Sequence, residues 1–331
     1  MLAERGVWRE VGRSHVGRTF DFSTMYTNIP HESLLDNLAS LVNKAFAFAR
    51  VKRYIVVVRG ERLARWTEYR DVERKGVCWD EDELMRAVRI VVLNAVVCVG
   101  HGIYHQILGA PMGTNSSPPL ANLYLLAYER NFMHSLCLMD RFEVARAFAN
   151  TCRFLDDILF LANPFVDQYL HFEDLRGQGL YPSDILRLEE TTLDRYDDPG
   201  HLHYLDLDLW CGESLRIRIW DKRKQLDIPI IRFPHRGSAL AESAMYAIVT
   251  SQCFRFFRIL KSRREFLQEV VNMMTTLVVD KGYSRPRVLK KVKCFLWMVH
   301  ELFSGSWFTL WRSVRNLYRE CERVRGMRGV C

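Results

Sequence analysis

The chain has 331 residues, 49% hydrophobic and 26% charged, a balance that fits a globular protein with a sizeable core and excludes a disordered, low-complexity chain. Lys+Arg 47 against Asp+Glu 39 leaves a formal net charge of +8, which points to a polyanionic partner, nucleic acid first and an acidic membrane surface second. Nine cysteines scattered singly predict reduced thiols in an intracellular compartment, nucleus or cytoplasm, and the most apolar run, Ala87 to Gly100, is interrupted by Arg89 and Asn94 and is too short to span a membrane.

Taken in chain order, "RTFDFS" (Arg18 to Ser23) alternates as a strand does. Phe20 and Phe22 fall on one face, Asp21 and Ser23 on the other. A Thr-Asn-Pro turn follows, then "HESLLDNLASLVNKAFAFAR" with apolar residues at helical spacing. "RYIVVVRGERLARWTEY" predicts a hairpin around Arg59-Gly60. "DEDELMRAVRIVVLNAVVCV" opens with acids suited to a helix N-terminus and predicts one largely buried helix. A Gly-, Pro- and Ser-rich loop comes next, with Ser116 or Ser117 placed to cap the helix "LANLYLLAYERNFMHSL". "CRFLDDILFLANP" reads as two apolar runs joined by Asp156 and Asp157, and "LHYLDLDLWC" and "SLRIRIWDK" as further strands. From Ser238 the pattern turns helical and basic, which predicts a mixed α/β domain over 1–237 and a helical domain over 238–331.

The acids carry the chemistry. Two carboxylates at a hairpin tip repel unless a cation lies between them, although a turn that simply favours Asp also explains the pair. Asp21, alone on its strand, adds a third carboxylate. Hard oxygen donors with open positions suit Mg²⁺, and two such ions about 4 Å apart can activate a hydroxyl and stabilise departing pyrophosphate. His101 with His105, and His201 with His203, are spaced to share a face, but neither pair has a convincing third ligand; exposed or core histidines are the simpler reading. The C-terminal helices interleave Arg and Lys with Phe and Trp, as in "CFRFFRILKSRR" and "RVLKKVKCFLW". A core face backed by solvated basics explains this, and so does a surface that grips a duplex backbone through its phosphates.

Three stretches in order, "FDFSTMYTNIP", "QILGAPMGTNSSPPLANLYL" and "FLDD", resemble motifs A, B and C of reverse transcriptases. The "YTNIP" and the "PMGTN" with its following Ser-Pro resemble the Penelope-like retroelement group most. The resemblance implies an α+β fold: a right-hand polymerase palm, an antiparallel sheet backed by helices, followed by a helical thumb. It implies RNA-directed DNA polymerase activity with two Mg²⁺ ions, Mn²⁺ being the alternative. Its partners would be an RNA or DNA template with its primer, and deoxynucleoside triphosphates, with no membrane involved. The implied metal set is Asp21, Phe22, Asp156 and Asp157, the three aspartates being catalytic. Tyr26 matches the aromatic that excludes a ribose 2′-hydroxyl, and so disfavours an RNA-making polymerase. Gln106, Pro111, Met112 and Gly113 match nucleotide-binding positions of motif B. Relatives carry a fingers segment ahead of motif A, whereas twenty residues precede Asp21, so a partner or a further segment would supply it. Relatives also place a lysine after motif C that protonates pyrophosphate; "LRLEETTLD" has Glu189 and Glu190 there, leaving Lys222 or Lys224 as the general acid. The alternative is an inactive or domesticated fragment that binds primer-template without catalysis.

Overall fold

The computed structural model describes residues 17–49, 53–58, 64–70, 76–110, 114–172, 179–191, 201–211, 215–221, 232–260, 262–300 and 306–328. By internal contacts the chain divides into two units, Met1–Tyr204 with Cys211–Glu213, and Leu205–Trp210 with Ser214–Cys331.

The first unit opens with β1 (Arg18–Phe22), the short α1 (Met25–Asn28) and α2 (His31–Ala49). The strands β2 (Tyr54–Val58), β3 (Arg65–Thr67) and β4 (Gly76–Trp79) form an antiparallel sheet in the order β3-β2-β4. The pairing of β2 with β3 is the hairpin expected there; its Arg59-Gly60 connection lies outside the described residues. Next come α3 (Glu81–Leu93), β5 (Val96–Val99), β6 (Gly102–His105), α4 (Ser117–Leu138) and α5 (Phe142–Phe148). The hairpin of β7 (Thr151–Phe154) and β8 (Asp157–Phe160) is followed by α6 (Val166–Tyr169), β9 (His171–Phe172), β10 (Tyr181–Pro182), β11 (Leu188–Glu190) and β12 (His201–Tyr204). β11, β1, β8 and β7 make one antiparallel sheet in that order.

The alternation of β1 decides its packing. Phe20 and Phe22 are buried with Ile158 and Phe160 of β8, against Leu34, Leu35 and Leu38 of α2 and Leu120, Tyr124 and Leu125 of α4. Phe20 meets Phe160 edge to face at 5.5 Å. Each such side chain contributes about 1.5–3 kcal/mol when taken out of water. The helices on that face therefore hold the sheet and leave Asp21 pointing the other way.

One expected element is corrected. The run from Asp80 to Val99 is not one buried helix. Its start is as the acids predict: Asp80 caps the Glu83 amide at 2.8 Å and Glu83 returns the bond to Asp80 N, a capping box. The helix stops at Leu93, with Asn94 donating back to the Ile90 carbonyl, and β-branched Val96–Val99 then pairs with β6 as a hairpin. Of α3 only Val92 is buried, and Val96, Val99 and Ile103 are 60%, 64% and 75% exposed. Continuous hydrophobicity conceals the change of period because helix and strand both accept valine. Ser116 occupies the N-cap position of α4 without a capping bond; Thr114 Oγ1 lies 3.0 Å from Ser116 Oγ and 2.8 Å from Ser117 Oγ instead.

The second unit holds β13 (Leu207–Cys211) apart from its last residue, β14 (Leu215–Ile219), α7 (Glu242–Ile259), α8 (Arg263–Thr275), a π-helical turn over Thr276–Asp280, α9 (Arg285–Val299) and α10 (Trp307–Arg328). Its core is built from one stripe of each helix, among them Val249 and Phe256, Phe266 and Val270, Phe295 and Leu296, and Val314. The eight described cysteines are all free thiols, and among the described residues no helix is long and apolar enough to cross a membrane.

Candidate active site

Asp21 is paired on both sides. It stands directly opposite Asp157 on β8 and directly opposite Glu189 on β11. Opposed residues of an antiparallel ladder share a face with Cβ atoms about 4.5–5.5 Å apart, so the three acids form one row across three strands. The row continues to Phe154, opposite Asp157 on β7 and 57% exposed. Asp156 lies in the turn between β7 and β8. Its carbonyl accepts the Phe22 amide at 3.2 Å, which folds the turn back over the end of β1. Leu155, just before it, takes φ 57°, a left-handed conformation that a leucine adopts at a cost of about 1–2 kcal/mol. The turn is thus Leu155-Asp156, and Asp157 is already the first strand residue.

The other face of β11 is treated differently. Arg18 grips Glu190 through Nε at 2.7 Å and an Nη at 2.5 Å, and reaches Asp167 at 2.7 Å. These bonds, Glu190 first, hold the guanidinium pKa above its ordinary value against burial. Of the two adjacent glutamates, Glu190 is therefore an ion-pair partner, while exposed Glu189 joins the acid row.

Tyr26 lies on α1, half-buried. Burial first, and then the Asp156 charge, push its hydroxyl above the ordinary tyrosine range. Its carbonyl accepts the Ala110 amide at 2.8 Å, the Ile29 carbonyl accepts Gly109 N at 2.8 Å, and His31 Nε2 donates to the Gly109 carbonyl at 2.8 Å. The backbone that follows β1 is thus stitched to the loop before α4. Gly109 permits this: it sits at φ 83°, and a Cβ there would lie 2.4 Å from the Tyr26 carbonyl oxygen. Gln106 faces its own loop, its amide donating to the Leu108 carbonyl at 2.9 Å and its backbone to Ala95 at 2.9 Å. Pro111, Met112, Gly113, Lys222 and Lys224 lie outside the described residues.

Reading the sequence missed a support behind the acids. Arg153, on β7, donates through Nε to Glu129 Oε1 at 2.5 Å, and through Nη1 to Asn122 Oδ1 at 2.6 Å and to the Leu155 carbonyl at 3.1 Å. Fully buried Tyr181 donates its hydroxyl to the same Glu129 at 2.8 Å and packs edge to face on Phe22 at 5.1 Å. Burial works to lower the Arg153 pKa, but Glu129 outweighs it and the value is raised; Tyr181 is raised by burial first and then by Glu129. Tyr204 also braces the hairpin, donating to the carbonyls of Cys152 at 3.2 Å and Asp157 at 3.4 Å. The available signal was a charge inside an apolar strand, "CRF", the same anomaly that marks Asp21.

His105 Nε2 bonds the Leu93 carbonyl at 2.5 Å, and the rings of His201 and His203 meet edge to face at 5.2 Å.

No protein-family model matches the chain, and no curated protein sequence is similar to it. Among solved structures it is similar to telomerase from Candida albicans in complex with a fragment of telomeric RNA, at 12% identity and TM-score 0.49, covering 96% of this chain and 50% of that one. It is also similar to telomerase from Candida tropicalis, at 13% identity and TM-score 0.44 both in complex with telomeric RNA and in the apo form. Those matches cover 95% and 96% of this chain and 47% and 50% of theirs, so the chain spans about half the length of these telomerases.

Proposed function

We propose that this chain is an RNA-directed DNA polymerase of the reverse-transcriptase kind, nearest the Penelope-like group. Residues 1–237 would act as the palm and 238–331 as the thumb. The observation that carries this reading is the acid row: Asp21 of motif A stands in register with Asp157 of motif C, with Asp156 bonded back onto the same strand. Motifs A and C, far apart in sequence, thereby lie on neighbouring strands of one sheet, and the motif B loop is bonded to the backbone at Tyr26 and Ile29.

The donor set fits divalent magnesium. Asp21, Asp156 and Asp157 offer hard carboxylate oxygens on a partly open face, and like charges directly opposed across a ladder destabilise it unless a cation is present. The Phe22 carbonyl would complete the set, and Mn²⁺ suits the same oxygens. When bound, the two ions would supply an activated primer hydroxyl and charge stabilisation for leaving pyrophosphate. The chain's own residues do the positioning: β1 and the β7-β8 turn fix the carboxylates, and the Tyr26 ring, on backbone stitched to the motif B loop, would close the space a ribose 2′-hydroxyl needs. Primer-template and deoxynucleoside triphosphates are the partners, and Lys222 or Lys224 the candidate general acid.

Primer extension on RNA and DNA templates by the purified chain tests this, beside an Asp156→Ala, Asp157→Ala control. Magnesium-dependent extension lost in the control is the expected result. Equal extension by both proteins overturns the site. No extension by either, with salt-sensitive duplex binding, identifies a nucleic-acid-binding remnant instead.

A further inference from the structure

The helical unit carries a cavity of about 450 Å³ between α9 and α10. Lys293 of α9 and Arg312, Arg315 and Arg319 of α10 supply its cations; Trp307, Phe308 and Trp311 supply its rings, and Asn316 an amide. Among the described residues no carboxylate lines it.

The helix α10 has two distinct sides. Leu310, Val314 and Tyr318 enter the core, and Trp311 packs partly against it. Phe308 is 53% exposed, and Arg312, Arg315, Asn316 and Arg319 are exposed beside it. The core therefore does not account for this aromatic and basic side. Two of its rings already face cations: Lys293 Nζ lies 5.4 Å from the Trp307 ring centre, and Arg312 Cζ 5.3 Å from that of Phe308. Elsewhere on α9 the arginines are neutralised, Arg285 by Glu322 and Arg287 by Glu242. No ion pair among the described residues takes up Lys293, Arg312, Arg315 or Arg319.

We propose that this cavity binds single-stranded nucleic acid, with an unpaired base stacked among Trp307, Phe308 and Trp311 and the flanking phosphates on the four cations. A duplex backbone would engage the cations and leave the rings idle, because its bases are already stacked. A free mononucleotide would satisfy the rings but not the length. From Trp307 to Arg319 the row runs twelve residues along α10, about 18 Å at the helical rise, which suits successive phosphates of a strand. Base-aromatic stacking with a basic track is the physics of sequence-tolerant single-strand binding. The site needs no catalysis and stands apart from the polymerase reading.

The test uses the full chain and a fluorescein-labelled dT12 strand, read by anisotropy, beside a blunt 12-base-pair duplex and free dTMP. Phe308→Ala, at an exposed position that leaves thermal stability unchanged, weakens dT12 binding about 5-fold or more and leaves duplex binding as it was. Arg315→Ala lowers the slope of log affinity against log salt for dT12 by about 0.7. Photo-crosslinking with 5-iodouracil in the strand maps to Trp307, Phe308 or Trp311. Crosslinks only elsewhere, or an equal loss of dT12 and duplex binding in Phe308→Ala, overturn the proposal. Displacement of dT12 by millimolar dTMP assigns the cavity to mononucleotides and overturns it as well. Protein that binds dT12 in this way but extends no primer sinks only the polymerase reading.

Discussion

Arg153 on β7 and Glu129 on α4 are joined by a 2.5 Å hydrogen bond between Nε and Oε1, and through this pair the hairpin that carries Asp156 is fastened to α4. The same guanidinium holds the Leu155 carbonyl, one residue before the acid. The Leu155-Asp156 turn is thus positioned by a side chain that is itself mostly buried.

Glu129→Gln keeps an acceptor for Tyr181 and removes the charge facing Arg153. We expect a loss of about 1.5–3 kcal/mol in urea unfolding, the scale of a hydrogen bond to a charged group. Arg153→Lys, which cannot reach Glu129, Asn122 and Leu155 together, should lose a similar amount and raise the magnesium concentration needed for half-maximal extension. An unchanged magnesium requirement at reduced stability would show that the pair supports the fold and does not position the acids.

Gly109→Ala places a methyl where the Tyr26 carbonyl stands, and in a left-handed conformation. The conformation alone costs about 1–2 kcal/mol, and moving the backbone adds to it. A lower melting temperature is expected, together with loss of discrimination at the proposed nucleotide site, because the loop and the Tyr26 backbone are bonded together. Gly100, also at positive φ but with nothing within 4 Å, serves as the control. Its alanine variant should show the conformational cost only.

Tyr26→Phe retains the ring and removes a hydroxyl whose ionisation burial and Asp156 already disfavour. Deoxynucleotide selection should survive it. Tyr26→Ala opens the space, and incorporation of ribonucleotides should rise by at least an order of magnitude relative to deoxynucleotides, the factor that 1.4 kcal/mol of lost exclusion provides. Competition between the two substrates in single-nucleotide extension measures this.

The acid row makes a prediction without catalysis. With no divalent cation, Glu189→Gln removes one of the charges opposed to Asp21 and should stabilise the protein by about 0.2–1 kcal/mol. The gain should shrink or reverse in millimolar magnesium. Thermal unfolding of both proteins with and without MgCl₂ decides it; an identical difference in both conditions would separate Glu189 from the cation site.

Burial pushes the Cys253 thiol up to about 12, and it lies in the core of the helical unit. At pH 8 its thiolate is negligible, so iodoacetamide should label exposed Cys98, Cys137 and Cys294 in the native protein and spare Cys253 until urea is added. Peptide mass spectrometry reads the pattern. Raising the pH from 7 to 9 should still leave Cys253 unlabelled in the native protein.

Much of this was legible in the chain itself. Period-two alternation decided which face of β1 holds Phe20 and Phe22, and therefore that Asp21 faces away from the core. The "FLDD" turn, the α2 and α4 helices and the basic helical C-terminal region follow from local patterns of the same kind. Where the pattern was ambiguous it misled: Asp80 to Val99 is valine-rich throughout, and only hydrogen bonding shows where helix gives way to hairpin. Register between distant strands is written in no local pattern, because it is set by which strands end as neighbours and how their apolar faces align. For that reason only the tertiary structure placed Glu189 opposite Asp21 and turned Glu190 to Arg18. The same holds for Arg153, which in sequence is an isolated charge in a strand; its role exists only because Glu129, Asn122 and Tyr181 converge on it from elsewhere in the fold.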